Sequence, residues 1–366
     1  MGTPAAAVRA TCARLRGEPV LLSAAMIDAA REHRVHLLVA ESLSADERHE
    51  SGAAARLEAE LQRQAIVDAL RERELRRTLD AFAAAGIQAL VLKGAALART
   101  VYPAPHLRPH ADVDLLIAPE HLDAVDRLLG NEGWTRDVEP DFSEGAAQRH
   151  YRGRRDAAVV EHLDVHWKIA NPRVFGDAFT FEELWRRSVP IRGLGADART
   201  LGAAHTLLLA CLHRVAHHDD AGDLLWLWDI HLITSALSSE DRAPFLELAA
   251  GKKMRAICAR GLRLAAECFE TPGAAGLVAE LQDHSAATEP TARFIGGRMR
   301  FFDIVRADLA ATPAWRARVA LIREHLFPSR RYMRSTYSRW PAALLPFAYA
   351  HRILHGAPKW LRRPGK

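Results

Sequence analysis

The chain has 366 residues, 49% hydrophobic and 26% charged, with a net charge of +5. That balance excludes a disordered or fibrous chain and leaves room for two domains with a sizeable core. Cys12, Cys211, Cys258 and Cys268 include no Cys-x-x-Cys pair, which argues against a disulfide framework and for a reducing compartment.

No export or myristoylation signal is read at the start, and no apolar run reaches the roughly 18 residues of a membrane span. A cytoplasmic location and no membrane partner are therefore expected. The positive charge is nearly all arginine, with lysine only at positions 93, 168, 252, 253, 359 and 366. A bias of that kind fits genomic base composition better than a nucleic-acid footprint. The arginine clusters at Arg71 to Arg77 and Arg316 to Arg339 read as solvated helix faces interleaved with acids such as Glu72 and Glu74.

In chain order, apolar residues from Ala5 to about Ala85 recur at helical spacing. The pattern predicts two or three short helices and then one long one from Ala53, stopped by Gly86. This is the N-terminal helical region, residues 1–85. From Ile87 to about Pro190 the period changes. Ile87 to Leu92 is a short apolar run that predicts a buried strand, followed by a helix over Ala95 to Tyr102. A proline-bearing loop, Pro103 to Pro109, leads into a second strand that begins at Asp112 and ends before Pro119. A helix over Glu120 to Asn131 and strands at Trp134 to Val138, His150 to Arg152 and Val159 to Trp167 complete a small mixed sheet in residues 86–190.

After Pro190 a strand or loop is expected over Ile191 to Thr200. Helices then follow at Ala203 to His217, Leu224 to Ala236, Ala243 to Phe269 with a break at Gly251, Ala275 to Gln282, Ala292 to Ala310 and Trp315 to Leu326. The fold class is α+β: a small mixed sheet with helices before it and a helical bundle over residues 191–366.

The chemistry concentrates in Asp112-Val113-Asp114. Alternate strand side chains share a face, so the two acids lie side by side at roughly 6.6 Å. A third acid, Asp164, falls on one face with His162 and His166 in the strand Val159 to Trp167. Three carboxylates within about 4 Å of one another repel by roughly 4 kcal/mol per pair at an effective dielectric near 20, so they need cations to coexist. The plainer alternative is that Asp112 caps the strand and Asp114 faces solvent. Lys93-Gly94-Ala95-Ala96 marks a strand-to-helix turn whose backbone N–H groups can approach phosphate oxygens, with Lys93 adding a positive charge. It can equally be a tight turn beside a surface lysine. Arg108 can grip a phosphate with two parallel hydrogen bonds or anchor its loop by a salt bridge.

His205, His213, His217 and His218 form a second cluster, followed by Trp226, Trp228 and Asp229. His213 and His217 have the i,i+4 spacing of metal ligands, but no glutamate stands in the zinc-peptidase arrangement. The histidines are read as lining the interface of bundle and sheet, in the crevice that His166 also faces. Trp226 and Trp228 are expected in the core.

Leu92-Lys93-Gly94, Tyr102-Pro103, Leu107-Arg108-Pro109, Asp112-Val113-Asp114-Leu115-Leu116 and Asp164-Val165-His166-Trp167 together resemble the motifs of the uncharacterised nucleotidyltransferase family of the DNA polymerase β-like superfamily. The resemblance covers about Gly86 to Trp167, and more loosely the chain through Asp229 and Leu326-Phe327-Pro328-Ser329. It implies metal ligation and catalysis by Asp112, Asp114 and Asp164, with two Mg²⁺ ions. It also implies nucleotide contacts from Lys93, Gly94, Ala95, Arg108 and His166, and transfer of a nucleoside monophosphate from a nucleoside triphosphate to an acceptor. The superfamily's turn is normally Gly-Ser or Gly-Gly, whereas Ala95 follows Gly94 here, which removes one hydroxyl contact to phosphate. Sixteen residues, Ala96 to Ala111, separate that turn from Asp112. An inactive nucleotide-binding module is the alternative, with a nucleic-acid-binding protein behind it; the acceptor is not legible.

Overall fold

The computed structural model describes residues 4–50, 52–137, 147–156, 159–195, 197–282, 286–297, 299–312 and 314–361. Four helices open the chain: α1 (Pro4–Leu15), α2 (Ala24–Glu32), α3 (His36–Glu41) and α4 (Ala45–Glu50), against the two or three expected. The long helix α5 runs over Gly52–Ala84, about 50 Å at 1.5 Å per residue. Gly86 ends it in the left-handed region, at φ +71°. The Ile87 N–H then returns to the Phe82 carbonyl at 2.8 Å, the Schellman closure that glycine permits without a Cβ penalty.

The sheet has seven strands: β1 (Ala89–Leu92), β2 (Val113–Ile117), β3 (Thr135–Arg136), β4 (Gln148–Asp156), β5 (Val159–His166), β6 (Ser188–Pro190) and β7 (Arg199–Leu201). Their order is β3-β4-β5-β2-β1-β7-β6. β2 runs antiparallel to β1 and parallel to β5, so the sheet is mixed, as expected. Val138, at the end of the third expected strand, lies outside the described residues. β6 and β7 flank the stretch read as strand or loop, and Arg199 of β7 sits opposite Leu90 of β1.

The alternation along the strands separates two cores. Val91, Val113, Leu115, Ile117, Leu163 and Val165 point to one side and pack on Leu75, Leu79 and Phe82 of α5 and on Val125 and Leu129 of α7 (Leu122–Asn131). Leu90, Leu92 and Leu116 point to the other side and join the larger core. That core is formed with α10 (Ala203–Ala216), α11 (Leu224–Ser235), α12 (Ser239–Gly251), α13 (Arg255–Phe269) and α14 (Ala274–Leu281). Those helices match the expected ones closely, including the break at Gly251. Between sheet and bundle run α6 (Lys93–Thr100), α8 (Arg173–Gly176) and α9 (Phe181–Arg186). The chain closes with α15 (Phe301–Ala311), α16 (Trp315–Leu326), α17 (Arg330–Thr336) and α18 (Leu345–Leu361). Among the described residues no helix is long and apolar enough to cross a membrane.

Candidate active site

The bundle-facing side of the sheet is apolar at Leu90, Leu92 and Leu116 and turns polar beside them. Asp114 of β2 stands directly opposite Asp164 of β5, and His150 of β4 stands opposite Asp164 on its other side. The next row on the same face holds Gln148 and His166. The alternative in which Asp114 faces solvent is therefore excluded, since Asp114 is 5% exposed and Asp164 8%. One oxygen each from Asp114 and Asp164 and a ring nitrogen of His166 lie within 4.8 Å of one another. Asp112 immediately precedes the first ladder residue and is half-buried, lining the same cavity.

Each acid has a distinct setting. Lys93 donates from Nζ to Asp114 Oδ1 at 2.6 Å, and His166 Nε2 meets the same oxygen at 2.7 Å. Burial pushes the Asp114 carboxyl up, but the Lys93 charge and the His166 hydrogen bond outweigh it and hold the group far below its ordinary value. For Asp112 the balance is reversed: burial first, then the charges of Asp114 and Asp164, raise its carboxyl by more than the Lys93 charge lowers it. Asp164 is held by His150 Nδ1 at 2.5 Å and Gln148 Nε2 at 3.4 Å. His150 and Gln148 were not singled out in the sequence; the strand alternation that placed Asp164 would have placed them once the β4–β5 register was known.

The expected turn is a helix start. Leu92 is extended, Lys93 takes φ +50°, and α6 opens with Gly94 and Ala95. A left-handed φ on a residue with a side chain costs on the order of 1 kcal/mol and is common at functional sites. Here it lets Lys93 reach back to β2. A Cβ on Gly94 would sit 2.8 Å from the His110 Cβ and 3.4 Å from Arg108 Nη1, so the glycine is required by close approach of the loop. Gly94→Val is accordingly expected to displace that loop and to cost about 1–3 kcal/mol of stability. It should also weaken triphosphate binding by calorimetry, and unchanged binding would remove Gly94 from the site.

Arg108 is fully committed. Its Nε and Nη2 donate to Asp229 Oδ1 and Oδ2, each at 2.8 Å, and Nη1 donates to the Pro109 carbonyl at 2.8 Å. Burial alone would pull the guanidinium down, but Asp229 holds it above its ordinary value. Tyr102 donates to the same carboxylate at 2.7 Å. Arg71, read as part of a solvated run, turns inward instead. It bonds the His110 carbonyl and lies 3.6 Å from Glu161, so α5 and α11 grip the loop from two sides.

Lys93, Gly94, Arg108, Asp112, Asp114 and Asp164 share a cavity of about 630 Å³ with His213, His217, His218 and Trp226. Ala95 lies just inside α6, buried, and His166 is fully buried behind Asp114.

A profile of the uncharacterised nucleotidyltransferase family matches residues 23–270, about two thirds of the chain. The chain belongs to this family. Membership makes it a nucleotidyltransferase in general class, and the match spans both the sheet and the helices that wall the cavity. Its limits lie well beyond the Gly86 to Trp167 segment that carries the resemblance, and exclude the Leu326 to Ser329 ending. No curated protein matches the chain.

Of the histidine cluster, three members stand in the cavity. His213 and His218 approach through their Nε2 atoms at 3.0 Å, and His218 stacks on Trp226 at 3.7 Å. Trp226 is buried as expected, yet it walls the site. His205 is elsewhere, edge-on to Phe179 in a groove with Glu183 and Lys252. Among the described residues the histidines form no three-ligand metal group.

Burial, then the Lys93 charge, holds His217 down at about 3. Burial, then Arg34, holds His218 at about 4, and burial holds His110 at about 4. Unfolded histidine titrates near 6.5, so below that pH the unfolded chain takes up protons that the folded chain refuses, and stability falls as pH drops. The urea midpoint is expected to fall steadily from pH 7 to pH 4, and His217→Gln should flatten the slope. A midpoint insensitive to pH over that interval would contradict the neutral, buried state. Asp114 acts in a lower window, its contribution being lost only as pH falls below the ordinary carboxylate range.

Proposed function

We propose that the chain transfers a nucleoside monophosphate from a nucleoside triphosphate to an acceptor hydroxyl or phosphate, with Mg²⁺ as cofactor. The observation that carries this is the meeting of Asp114 and Asp164 on one sheet face, with Asp112 crowded beside them. A carboxylate raised by burial and then by two like charges is what a site built for a cation looks like when only the protein's own groups are counted. The donor set fits Mg²⁺, which takes oxygen ligands. Asp112, Asp114 and Asp164 would hold it, as two ions in the reading we favour, while His166 orients Asp114 from behind. Bound Mg²⁺ supplies neutralisation of phosphoryl charge and lowers the acceptor's pKa.

The protein's own groups do the rest. The first N–H groups of α6, at Gly94 and Ala95, offer an anion seat. Lys93 exchanges Asp114 for a phosphate oxygen when nucleotide arrives. Arg108 acts through Asp229, fixing the loop that carries Asp112 rather than spending its guanidinium on phosphate. His217 Nε2 is buried without a partner, and the ring is neutral, so it can accept a hydrogen bond from an incoming hydroxyl. The four free cysteines favour a cytoplasmic setting.

The test is incubation with α-labelled nucleoside triphosphates, Mg²⁺ and host extract. Label should move to an acceptor with release of pyrophosphate. Magnesium-dependent triphosphate binding without pyrophosphate would instead identify an inactive nucleotide-binding module. Steeply salt-dependent nucleic-acid binding without triphosphate binding would remove this reading altogether.

A further inference from the structure

The segment after the family match has a character of its own. From Trp315 to Lys366 the sequence carries twelve arginines and lysines against a single acid, Glu324. With the whole chain at +5, everything before this segment is net negative. Elsewhere many of the arginines are neutralised, as in Arg14–Glu47, Arg76–Glu72 and Arg108–Asp229. Here Arg316, Arg323, Arg330, Arg334 and Arg339 have no ion pair among the described residues.

The same segment exposes apolar surface in an ordered way. Eight of the twelve large exposed apolar side chains among the described residues lie between Trp315 and Leu354. On α16, Trp315 (68% exposed), Val319 and Ile322 follow i, i+4, i+7 and make one stripe. Arg316 and Arg323 flank it on one side and Arg318 on the other, as helical spacing requires. On α18, Phe347 (66%) and Leu354 (73%) are seven residues apart and again share a face. Between them an open groove of about 920 Å³ is lined by Phe327, Arg330, Arg334, Pro346 and Tyr349. Arg330 and Arg334, one turn apart on α17, line it together with Phe327 and Tyr349.

We infer that α16, α17 and α18 form a surface that binds an anionic phospholipid bilayer from one side without crossing it. Apolar stripes edged by arginine are the interfacial pattern, aromatic and aliphatic groups entering the acyl boundary while guanidinium groups meet phosphate. The groove with Arg330 and Arg334 is the seat for one headgroup. The occupant is a lipid surface rather than a nucleic acid because Val319, Ile322 and Leu354 are aliphatic and exposed; phosphate binding does not call for them and they do not stack on bases. A second copy is disfavoured, since joining two such faces would bring unpaired arginines together. This surface departs from the expectation of no membrane partner while keeping that of no membrane span: it attaches and does not insert through. It is independent of the nucleotidyl-transfer reading.

The test is co-sedimentation of the full chain with phosphatidylglycerol–phosphatidylcholine vesicles and with pure phosphatidylcholine vesicles. Binding should be at least about tenfold stronger to the anionic vesicles and weaken with salt, since each arginine at an anionic leaflet is worth roughly a factor of five. Trp315→Ser with Phe347→Ser and Leu354→Ser should lower partitioning by about tenfold at constant charge, the apolar half of the interfacial interaction. Arg330→Gln with Arg334→Gln should lower it by about twenty-five-fold, two factors of about five. The urea midpoint should be unchanged in both variants, which shows that they fold. The inference is overturned by equal binding to both vesicles or none, or by duplex DNA binding that outcompetes vesicles and ignores the apolar variant. It is equally overturned by self-association, read by light scattering, that the apolar variant abolishes in a chain that does not bind vesicles.

Discussion

Asp112→Asn is expected to lower magnesium-dependent transfer by about a thousandfold while making the cation-free protein more stable. The catalytic loss follows from removing one of three carboxylates that would hold the metal. Metal stabilisation of phosphoryl charge is worth several kcal/mol, at a factor of ten per 1.36 kcal/mol. The gain in stability follows from the raised carboxyl of Asp112, caused by burial and by Asp114 and Asp164. A carboxylate raised in the folded state opposes folding at neutral pH, and asparagine removes that opposition, so the urea midpoint should rise. The gain should disappear as pH falls below the ordinary carboxylate range, where wild-type Asp112 is itself protonated. Urea unfolding at pH 7 and pH 3 without magnesium, beside the labelled-transfer assay, checks both halves. A variant that loses activity and stability together would make Asp112 a structural residue.

Asp114→Asn makes the informative contrast. Asp114 is the counter-charge of Lys93, whose side chain is 13% exposed. Loss of that carboxylate should remove activity and also destabilise the fold. Opposite stability effects from two acids two residues apart are a direct consequence of which one the protein has already paired.

Much of this site was legible because its logic is local. A strand's period of two put Asp112 and Asp114 on one face and Asp164 on one face with His166, and left to the structure whether Asp114 pointed inward or to solvent. Gly86 ended α5 where a glycine after an apolar period should. The boundaries of α10, α11, α13 and α14 followed their apolar spacing, whereas the helix expected over Ala292 to Ala310 is confined to α15 at Phe301–Ala311, the chain before it forming only a short 3-10 turn at Pro290–Phe294. What the sequence could not supply was partnership across long separations. Arg108 and Asp229 are 121 residues apart and His150 and Asp164 meet only through the β4–β5 register. Likewise, β7 joins the sheet through a pairing of Arg199 with Leu90, which no property of so short a strand announces. Arg71 shows the same limit from the other side. In a run alternating with glutamates it has the signature of a solvated face, and only the position of the His110 loop against α5 explains why it turns inward.

The Arg108–Asp229 pair should matter to the fold more than any single contact of the acids. Asp229→Ala would leave the Arg108 guanidinium, 8% exposed in its side chain, without a counter-charge, and would strip the Tyr102 hydroxyl of its acceptor. Breaking a buried pair from one side costs about 3–5 kcal/mol, a large share of the 5–15 kcal/mol that a typical domain has in hand. Replacing both partners by apolar residues of similar size, as in Arg108→Met with Asp229→Leu, leaves no stranded charge and should recover most of that loss. If Arg108 serves the chemistry by fixing its loop, the recovered double variant will still transfer nucleotide poorly, with turnover reduced more than triphosphate affinity, because Asp112 is no longer held in the cavity beside Asp114 and Asp164. If the guanidinium instead grips phosphate, affinity should fall in Arg108→Lys as well, even though lysine keeps the charge facing Asp229. Calorimetric triphosphate affinity, transfer rate and urea midpoint for these three variants separate a loop clamp from a phosphate ligand, and an Asp229→Ala midpoint equal to wild type would show that neither charge is buried in the way the geometry requires.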